Sequence, residues 1–454
     1  MKIIVAGGGK VGYSVAETLT AEGHDIAVIE RDSARISYIS NSLDVICIEG
    51  AATDSDALIE AGAKDADLVL AATENDEVNM ICGITARRLG TSHAIARVRD
   101  PIYNGKQKFL SETLGLSHIV NPELECAREI ARTLSYPGAS RVDSFTKGSV
   151  EIASHRVRPD GKLKGMAIKD IPGRFNSEIL INLIERGDEV IIPNGGCVLQ
   201  EGDRLSIVGS QKNIRKFFAA TGAYKKPVRR VIIMGGGRIS VYLARKLDDA
   251  GISAKIIERD RKRCEELCAL APNAEIICAD PTAENVLEEE GLCEADAFVA
   301  LSEDDGDNII TSVYANTAGV DKIVVKVDQE HFARMMALSG IDSVVSPKNL
   351  VAQQIARYVR AMNNSLGCSM EALYKLADGR VEALEFKVEK SSLCIDTELR
   401  NLRLKKNVLV SAIIRDGKNI IPNGSTRIMP GDHAIITAFS GRVKFLDDIL
   451  ERRE

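Results

Sequence analysis

The chain has 454 residues, enough for about three domains at ~150 residues each, so a single core is not expected. With 45% hydrophobic and 27% charged residues it has the composition of soluble globular protein. A net charge of −6 argues against nucleic-acid binding and a membrane-coating surface, and no apolar run approaches the ~18 to 20 residues of a membrane span.

From the N-terminus, short β-rich runs alternate with amphipathic stretches. The runs are Ile3–Val5, Ile26–Ile29, Val45–Ile48, Leu68–Ala71, Ala94–Val98 and His118–Val120. That alternation predicts six parallel strands with crossover helices, a doubly wound Rossmann-like α/β sheet within residues 1–135. A helix over Pro122–Leu134 is expected to lead out of this unit as a crossover or dimerising helix. Residues 143–222 read as a small α+β unit, with short strands around one helix-like stretch. It carries a Pro-Asn-Gly turn at Pro193–Gly195 and a Gly-Asp turn at Gly202 and Asp203. The opening MKIIVAGGGK is too short and glycine-bound for a signal-peptide core, so a cytosolic chain is expected.

The pattern then starts again. Predicted strands at Val231–Met234, Ala254–Ile257, Glu275–Cys278, Ala297–Leu301, Ile323–Val327 and Ser343–Val345 fall within residues 228–365, followed by a helix over Pro347–Met362. A second α+β unit occupies 371–454. Gly7 corresponds to Gly235 and Glu30 to Glu258, each pair 228 residues apart. Pro193 corresponds to Pro422 and Asp203 to Asp432, each pair 229 apart. The chain is therefore a two-domain module written twice, with a period far beyond the ~20 to 50 residues of a solenoid.

Chemistry concentrates in the glycine loops. Gly7, Gly8, Gly9, Lys10, Val11 and Gly12 complete a G-x-G-x-x-G between a predicted strand and helix. Gly7 allows the turn, Gly9 lets backbone approach a pyrophosphate, and Gly12 lets the helix pack closely. The helix start from Lys10 offers free N–H groups to phosphate oxygens. Glu30 follows 18 residues after Gly12, placed to accept ribose hydroxyls and repel a 2′-phosphate, which points to NAD or adenosine ligands.

The second loop, Gly235, Gly236, Gly237, Arg238 and Ile239, ends in Ser240, with Glu258 again 18 residues on. The added hydroxymethyl group implies either a helix sitting further out or a site of different occupancy. Further crevice candidates are Thr53, Thr73, Glu74 and Arg97 in the first copy, and Asp280, Ser302 and Lys326 in the second. Arg97 and Lys326 each end a predicted fifth strand, where a cation reaches phosphate. The acidic run Glu303–Asp305 reads as a solvated turn before a divalent-ion site, and no metal site is assigned.

The ten cysteines lie mostly in apolar segments and read as small core residues. Cys264 and Cys268 sit four apart without a companion histidine, too little for a metal site. None of the six histidines falls at equivalent places in both copies, and no catalytic constellation is assigned.

Taken together, GGGKVG, Glu30, ATDSDAL after Gly50, ENDEVN at Glu74–Asn79 and Arg97, with their partners GGGRIS, Glu258, Asp280-Pro281-Thr282 and Asn308, form an ordered set found twice. With the repeated IIPNG turns, the set resembles RCK (KTN) domains followed by their C-terminal companion domains, in the tandem form used by Trk-type potassium uptake systems. The resemblance spans nearly the whole chain. It implies a cytoplasmic homo-oligomeric ring, a homotetramer, lying peripherally on the inner face of the cell membrane. The partner is a membrane potassium-translocating subunit of the Trk type, which handles the potassium ions. NAD(H) and the adenine nucleotides ATP and ADP are the implied ligands. Where the family often has Gly-Asp-Ala-Thr after strand three, this chain has Gly50-Ala51-Ala52-Thr53 and Ala279-Asp280-Pro281-Thr282. With Lys326 in place of arginine, unequal sites are expected. The rival class is an NAD-dependent oxidoreductase, because a nucleotide fold does not by itself decide function.

Overall fold

The run Lys2–Ala6 is buried along nearly its whole length, as a central strand covered by helices on both faces must be. In the computed structural model it forms β1. The structure describes every residue except 104, 137, 146–149, 224–225, 330, 333–334, 337–338, 342, 365–369, 378 and 452–454, so Cys368 lies outside the described residues. Around β1 stand β2 (Asp25–Glu30), β3 (Ile46–Glu49), β4 (Leu68–Ala71), β5 (His93–Arg97) and β6 (His118–Val120). All pairings are parallel, in the order β3-β2-β1-β4-β5-β6. The chain reverses its winding between β1 and β4, which opens a crevice at the C-terminal ends of those strands. The covering helices are α1 (Lys10–Ala21), α2 (Ser33–Ser42), α3 (Ser55–Glu60), α4 (Asp76–Leu89) and α5 (Gln107–Leu114). Side chains close orphaned N–H groups of three of them: Asp32 accepts from Ala34 and Arg35 at α2, Asp54 from Asp56 at α3, and Asn75 from Val78 at α4. The exit helix α6 spans Pro122–Leu134 as predicted.

The next sheet is antiparallel. Its strands are β7 (Arg141–Phe145), β8 (Val150–Arg156), β9 (Ile179–Arg186), β10 (Glu189–Ile191) and β11 (Arg204–Gly209), in the order β10-β9-β11-β8-β7. Helices α7 (Ile171–Phe175) and α8 (Gln211–Thr221) pack on it through Phe175, Phe217 and Phe218.

The second copy repeats both plans. Its parallel sheet contains β12 (Arg230–Met234), β13 (Ser253–Glu258), β14 (Glu275–Cys278), β15 (Ala297–Ala300), β16 (Lys322–Lys326) and β17 (Val344–Val345), ordered β14-β13-β12-β15-β16-β17. Its helices are α9 (Arg238–Asp249), α10 (Arg261–Leu270), α11 (Glu284–Glu289) and α12 (Asp305–Thr317), and the exit helix runs Pro347–Asn364. The last sheet holds β18 (Met370–Leu376), β19 (Val381–Lys387), β20 (Val408–Arg415), β21 (Lys418–Ile420) and β22 (His433–Phe439), ordered β18-β19-β22-β20-β21. It has the same connectivity as the first antiparallel sheet.

One element differs from expectation. The helix-like stretch expected in each small unit is α8 in the first, but the corresponding stretch of the second holds only the 3-10 turn Leu446–Ile449. Ser210 caps α8 and the chain turns at once into helix, whereas Ser440 is followed by Gly441 at φ +73°, a left-handed start that α-helix does not take. The turns divide their roles between residues. Gly202 and Gly431 take the positive φ, while Asn194 and Asn423 accept backbone N–H bonds two residues ahead. Each Gly-Asp turn is locked by a bidentate arginine: Arg186 on Asp203 at 2.9 and 2.8 Å, and Arg415 on Asp432 at 2.8 and 2.8 Å.

Compactness groups like with like. One unit comprises Met1–Ala131 with Val228–Ala356, the two parallel sheets, and the other comprises Arg132–Pro227 with Arg357–Glu454. Within the second unit, Val150, Ile152, Leu183 and Val208 share an apolar cluster with Val381, Ala383, Ala412 and Ile435.

Candidate functional site

Strand β1 delivers the chain into a turn that favours glycine: Gly7 stands at φ +107°, and its N–H donates to Ile29 O at 2.8 Å. The Gly8 N–H donates to Glu30 Oε2 at 2.7 Å. Gly9 caps α1 in extended backbone, and nothing lies within 4 Å of where its Cβ would stand. Lys10 is exposed at the helix start, and Val11 is buried beneath it. A Cβ on Gly12 would fall 1.9 Å from Gly7 O. The three motif glycines thus meet three needs, namely conformation, open approach and close packing. Glu30 closes β2, its Oε1 accepting from the Arg31 N–H at 2.7 Å and the Asp32 N–H at 3.1 Å.

Across the switch point, Thr73 follows β4 and Arg97 ends β5. A residue absent from the predicted set joins them. Asn79, fully buried on α4, accepts from the Thr73 N–H at 2.8 Å and Oγ1–H at 2.7 Å. Its amide donates to Thr73 O at 3.0 Å and Arg97 O at 2.9 Å. The signal lay in the matched ENDEVN and EDDGDN segments, whose asparagines occupy the same helical position. Arg97 is buried, and burial next to the Arg99 charge pushes its pKa down. Its Nε has no hydrogen-bond partner among the described residues. Glu74 is exposed, and its carbonyl accepts from the Arg99 guanidinium. Thr53 lies half-buried in the turn before α3.

The second copy keeps the backbone and changes the side chains. Gly235 stands at φ +93°, the Gly236 N–H donates to Glu258 Oε2 at 2.6 Å, and Gly237 leaves its Cβ position open. Arg238 is exposed and Ile239 buried, and the Ser240 hydroxyl donates to Gly235 O at 2.6 Å. A real Cβ at position 240 requires a wider turn than the first copy has, so the helix-further-out alternative fits this geometry. Asn308 repeats the clamp on Ser302 and on Lys326 O. The Lys326 ammonium donates to Ser302 O at 2.8 Å. Asp280 accepts from the Thr282 N–H and hydroxyl, which holds its carboxyl below the usual range. In the acidic run, Asp304 caps α12 and Asp305 accepts from the Asp328 and Gln329 N–H groups.

The two parallel sheets are joined at their crevices. Lys10 Nζ pairs with Asp328 Oδ2 at 2.7 Å, and Ser14 Oγ donates to Asn349 Oδ1 at 3.2 Å. At the equivalent place in reverse, Asn121 Nδ2 donates to the Tyr242 hydroxyl at 3.0 Å, which donates to Arg99 O at 2.9 Å. The helix after each glycine loop therefore leans on the far end of the other sheet. Open space above Gly9 and Gly237, helix N-termini at both loops and an acid at the end of each second strand together fit the phosphates and ribose of a nucleotide.

The TrkA-N domain family model matches residues 3–122 and 231–347, and the TrkA-C domain model matches 152–222 and 383–449. A Trk system potassium uptake protein TrkA homolog of Archaeoglobus fulgidus is 32% identical over 99% of this chain and 100% of its own length. The Trk system potassium uptake protein TrkA of Vibrio alginolyticus is 28% identical over 99% of this chain and 98% of its own. Among solved structures, the GsuK RCK domain superposes with TM-score 0.63 at 18% identity, covering 96% of this chain and 92% of that one. The GsuK channel bound to NAD gives TM-score 0.63 at 18% identity over 96% of this chain and 76% of that one. No helix among the described residues is long and apolar enough to cross a membrane. With both family models matched twice in alternation, and a relative aligned from end to end, the chain belongs to the TrkA family of Trk system potassium uptake proteins.

Proposed function

We propose that this chain is the nucleotide-sensing, non-catalytic subunit of a Trk-type potassium uptake system. In this reading it assembles as a homotetrameric ring on the cytoplasmic face, with domains at 1–135, 143–222, 228–365 and 371–454. It controls potassium flux through a membrane translocating subunit. The observation that carries the reading is the pair of crevices in one compact unit, each with an open glycine at a helix N-terminus and an acid at the end of the second strand. NAD(H) or an adenine nucleotide would supply phosphate charge and ribose hydroxyls there. The α1 N-terminus and Arg97 would hold phosphate, and Glu30 the ribose; in the second crevice α9, Lys326 and Glu258 take those roles. Support from known proteins comes from two solved structures of GsuK, one bound to NAD and one bound to ADP.

A ligand biases such an assembly only by binding one arrangement better than another. The Lys10–Asp328 pair ties the first phosphate-binding helix start to the second sheet, so ligand at one crevice is felt at the other. Titration calorimetry of NAD, NADH, ATP and ADP against the intact chain and Gly9→Val tests the reading. Binding of at least one nucleotide that Gly9→Val abolishes is expected, with loss of nucleotide control over potassium flux in liposomes carrying the membrane subunit. Unchanged nucleotide-dependent flux in that variant would falsify it, and hydride transfer to simple alcohols or hydroxy acids would favour an oxidoreductase.

A further inference from the structure

The third strand of the second parallel sheet ends in Cys278, and the helix packed beside it carries Cys264. The crevice acid Glu258 touches both positions. Cys278 pairs with Glu258 in the parallel register of β13 and β14, and Cys264 Sγ donates to Glu258 O at 3.3 Å. Both cysteines therefore flank the same residue, one through the strand pairing and the other through its thiol. Cys264 is buried, whereas Cys278 is exposed. The first copy has no such pair. Six residues after its crevice acid stands Ile36, and the residue paired with that acid on the next strand is Glu49. The dithiol belongs to the second crevice alone.

We propose that Cys264 and Cys278 form a thiol–disulfide exchange site that reacts with the disulfide of a low-molecular-weight thiol. Exposure makes Cys278 the entry point. Burial, with Cys278 alongside, pushes the Cys264 thiol up to about 11, so it waits as a protonated resolving group. The Cys278 thiolate attacks one sulfur of the small disulfide RSSR, forming a mixed disulfide and releasing RS⁻. Cys264 sulfur then attacks Cys278 sulfur, the second RS⁻ leaves, and the protons of the two protein thiols end on the two released RSH molecules. Two electrons pass from the protein to the small disulfide.

The link would fasten β14 to α10 and remove the S–H donation to Glu258 O. Helix α10 also holds the second glycine loop, because Arg263 Nε donates to Gly236 O at 2.7 Å. Oxidation therefore acts directly on the second crevice and not on the first. That consequence rests on the nucleotide reading above, while the exchange site does not.

The test is to incubate the full chain with oxidised glutathione, alkylate free thiols, and map the peptides by mass. Expected is a Cys264–Cys278 linked peptide, lighter by two hydrogens and released by dithiothreitol. Cys264→Ser should trap glutathione on Cys278, and Cys278→Ser should leave Cys264 free for alkylation. A wild-type chain that keeps glutathione on Cys278 beside a free Cys264, links either residue to Cys268, or stays fully alkylatable overturns the proposal. The mapping needs no nucleotide, so it fails separately from the function proposed above.

Discussion

In the first repeat, α1 comes so close to its own turn that a Cβ on Gly12 would sit 1.9 Å from Gly7 O; in the second, Ser240 occupies that position and bonds the matching carbonyl at 2.6 Å. Both helices nevertheless start one residue after a third glycine, Gly9 at φ −68° and Gly237 at φ −66°. The last glycine of the motif therefore serves helix approach, not turn conformation, and a small hydroxyl residue can replace it by turning a steric contact into a hydrogen bond. The cations differ in the same way. Arg97 is buried with an unpaired Nε, while Lys326 is tied to Ser302 O. The first crevice leaves a buried guanidinium nitrogen without a protein partner among the described residues, and the second commits one ammonium hydrogen to the protein. The asparagine clamp, by contrast, keeps its three backbone bonds in both, and only the Thr73 hydroxyl adds a fourth, the Ser302 hydroxyl turning to Asp304 O instead.

The largest way to break this comparison is Gly12→Ala. Overpacking against Gly7 O should cost about 3 kcal/mol, read as a lowered thermal midpoint, whereas Ser240→Ala in the wider turn loses one hydrogen bond at about 1 kcal/mol. Equal losses would show that the two turns are equally tight. Next in size come Asn79→Ala and Asn308→Ala, each leaving strand-end groups unpaired at about 2 kcal/mol, with the two values expected to agree. A marked difference would mean that the clamp does separate work in the two crevices. Smaller again, Gly9→Val and Gly237→Val should leave the melting temperature nearly unchanged, because both Cβ positions are open. Each should weaken nucleotide at its own crevice by roughly tenfold or more, about 1.4 kcal/mol. Calorimetric stoichiometry separates the two crevices.

Much of this was legible in the sequence because parallel strands buried on both faces read as short apolar runs. The six runs of the first copy predict β1 to β6 to within a residue at each end. The repeat offsets carried the rest of the topology. The roles of Gly7, Gly9 and Gly12 were also legible, since each follows from where a glycine stands between strand and helix. The asparagine clamp was not, because Asn79 acts through four bonds to residues that fold beside it from distant segments. The missing helix of the last unit was obscured for a local reason: its segment has apolar residues at helical spacing, and a single left-handed Gly441 overrides them. Nor does the line of residues show that Lys10 meets Asp328, 318 positions away.

The contacts across the two sheets give the smallest expected effects and the finest test of their pseudo-symmetry. Lys10 and Asp328 are 74% and 18% exposed at the side chain, so water screens most of their attraction despite the 2.7 Å separation. The hydrogen bond to Asp328, opposed by partial burial, raises the Lys10 pKa, so Lys10 keeps its charge at neutral pH. A double-mutant cycle of Lys10→Ala with Asp328→Ala should give a coupling of about 0.5 kcal/mol or less, vanishing in ~1 M salt. The Tyr242 contact, counterpart of the Ser14–Asn349 bond beside that pair, is unlike it. Tyr242 is fully buried and bonded to both Asn121 and Arg99 O, so Tyr242→Phe should cost about 1 kcal/mol with little dependence on salt. If the salt dependence were the same for both, the two contacts would be equivalent in kind. If it differs as expected, the sheets are pinned at the Tyr242 end and loosely tethered at the Lys10 end.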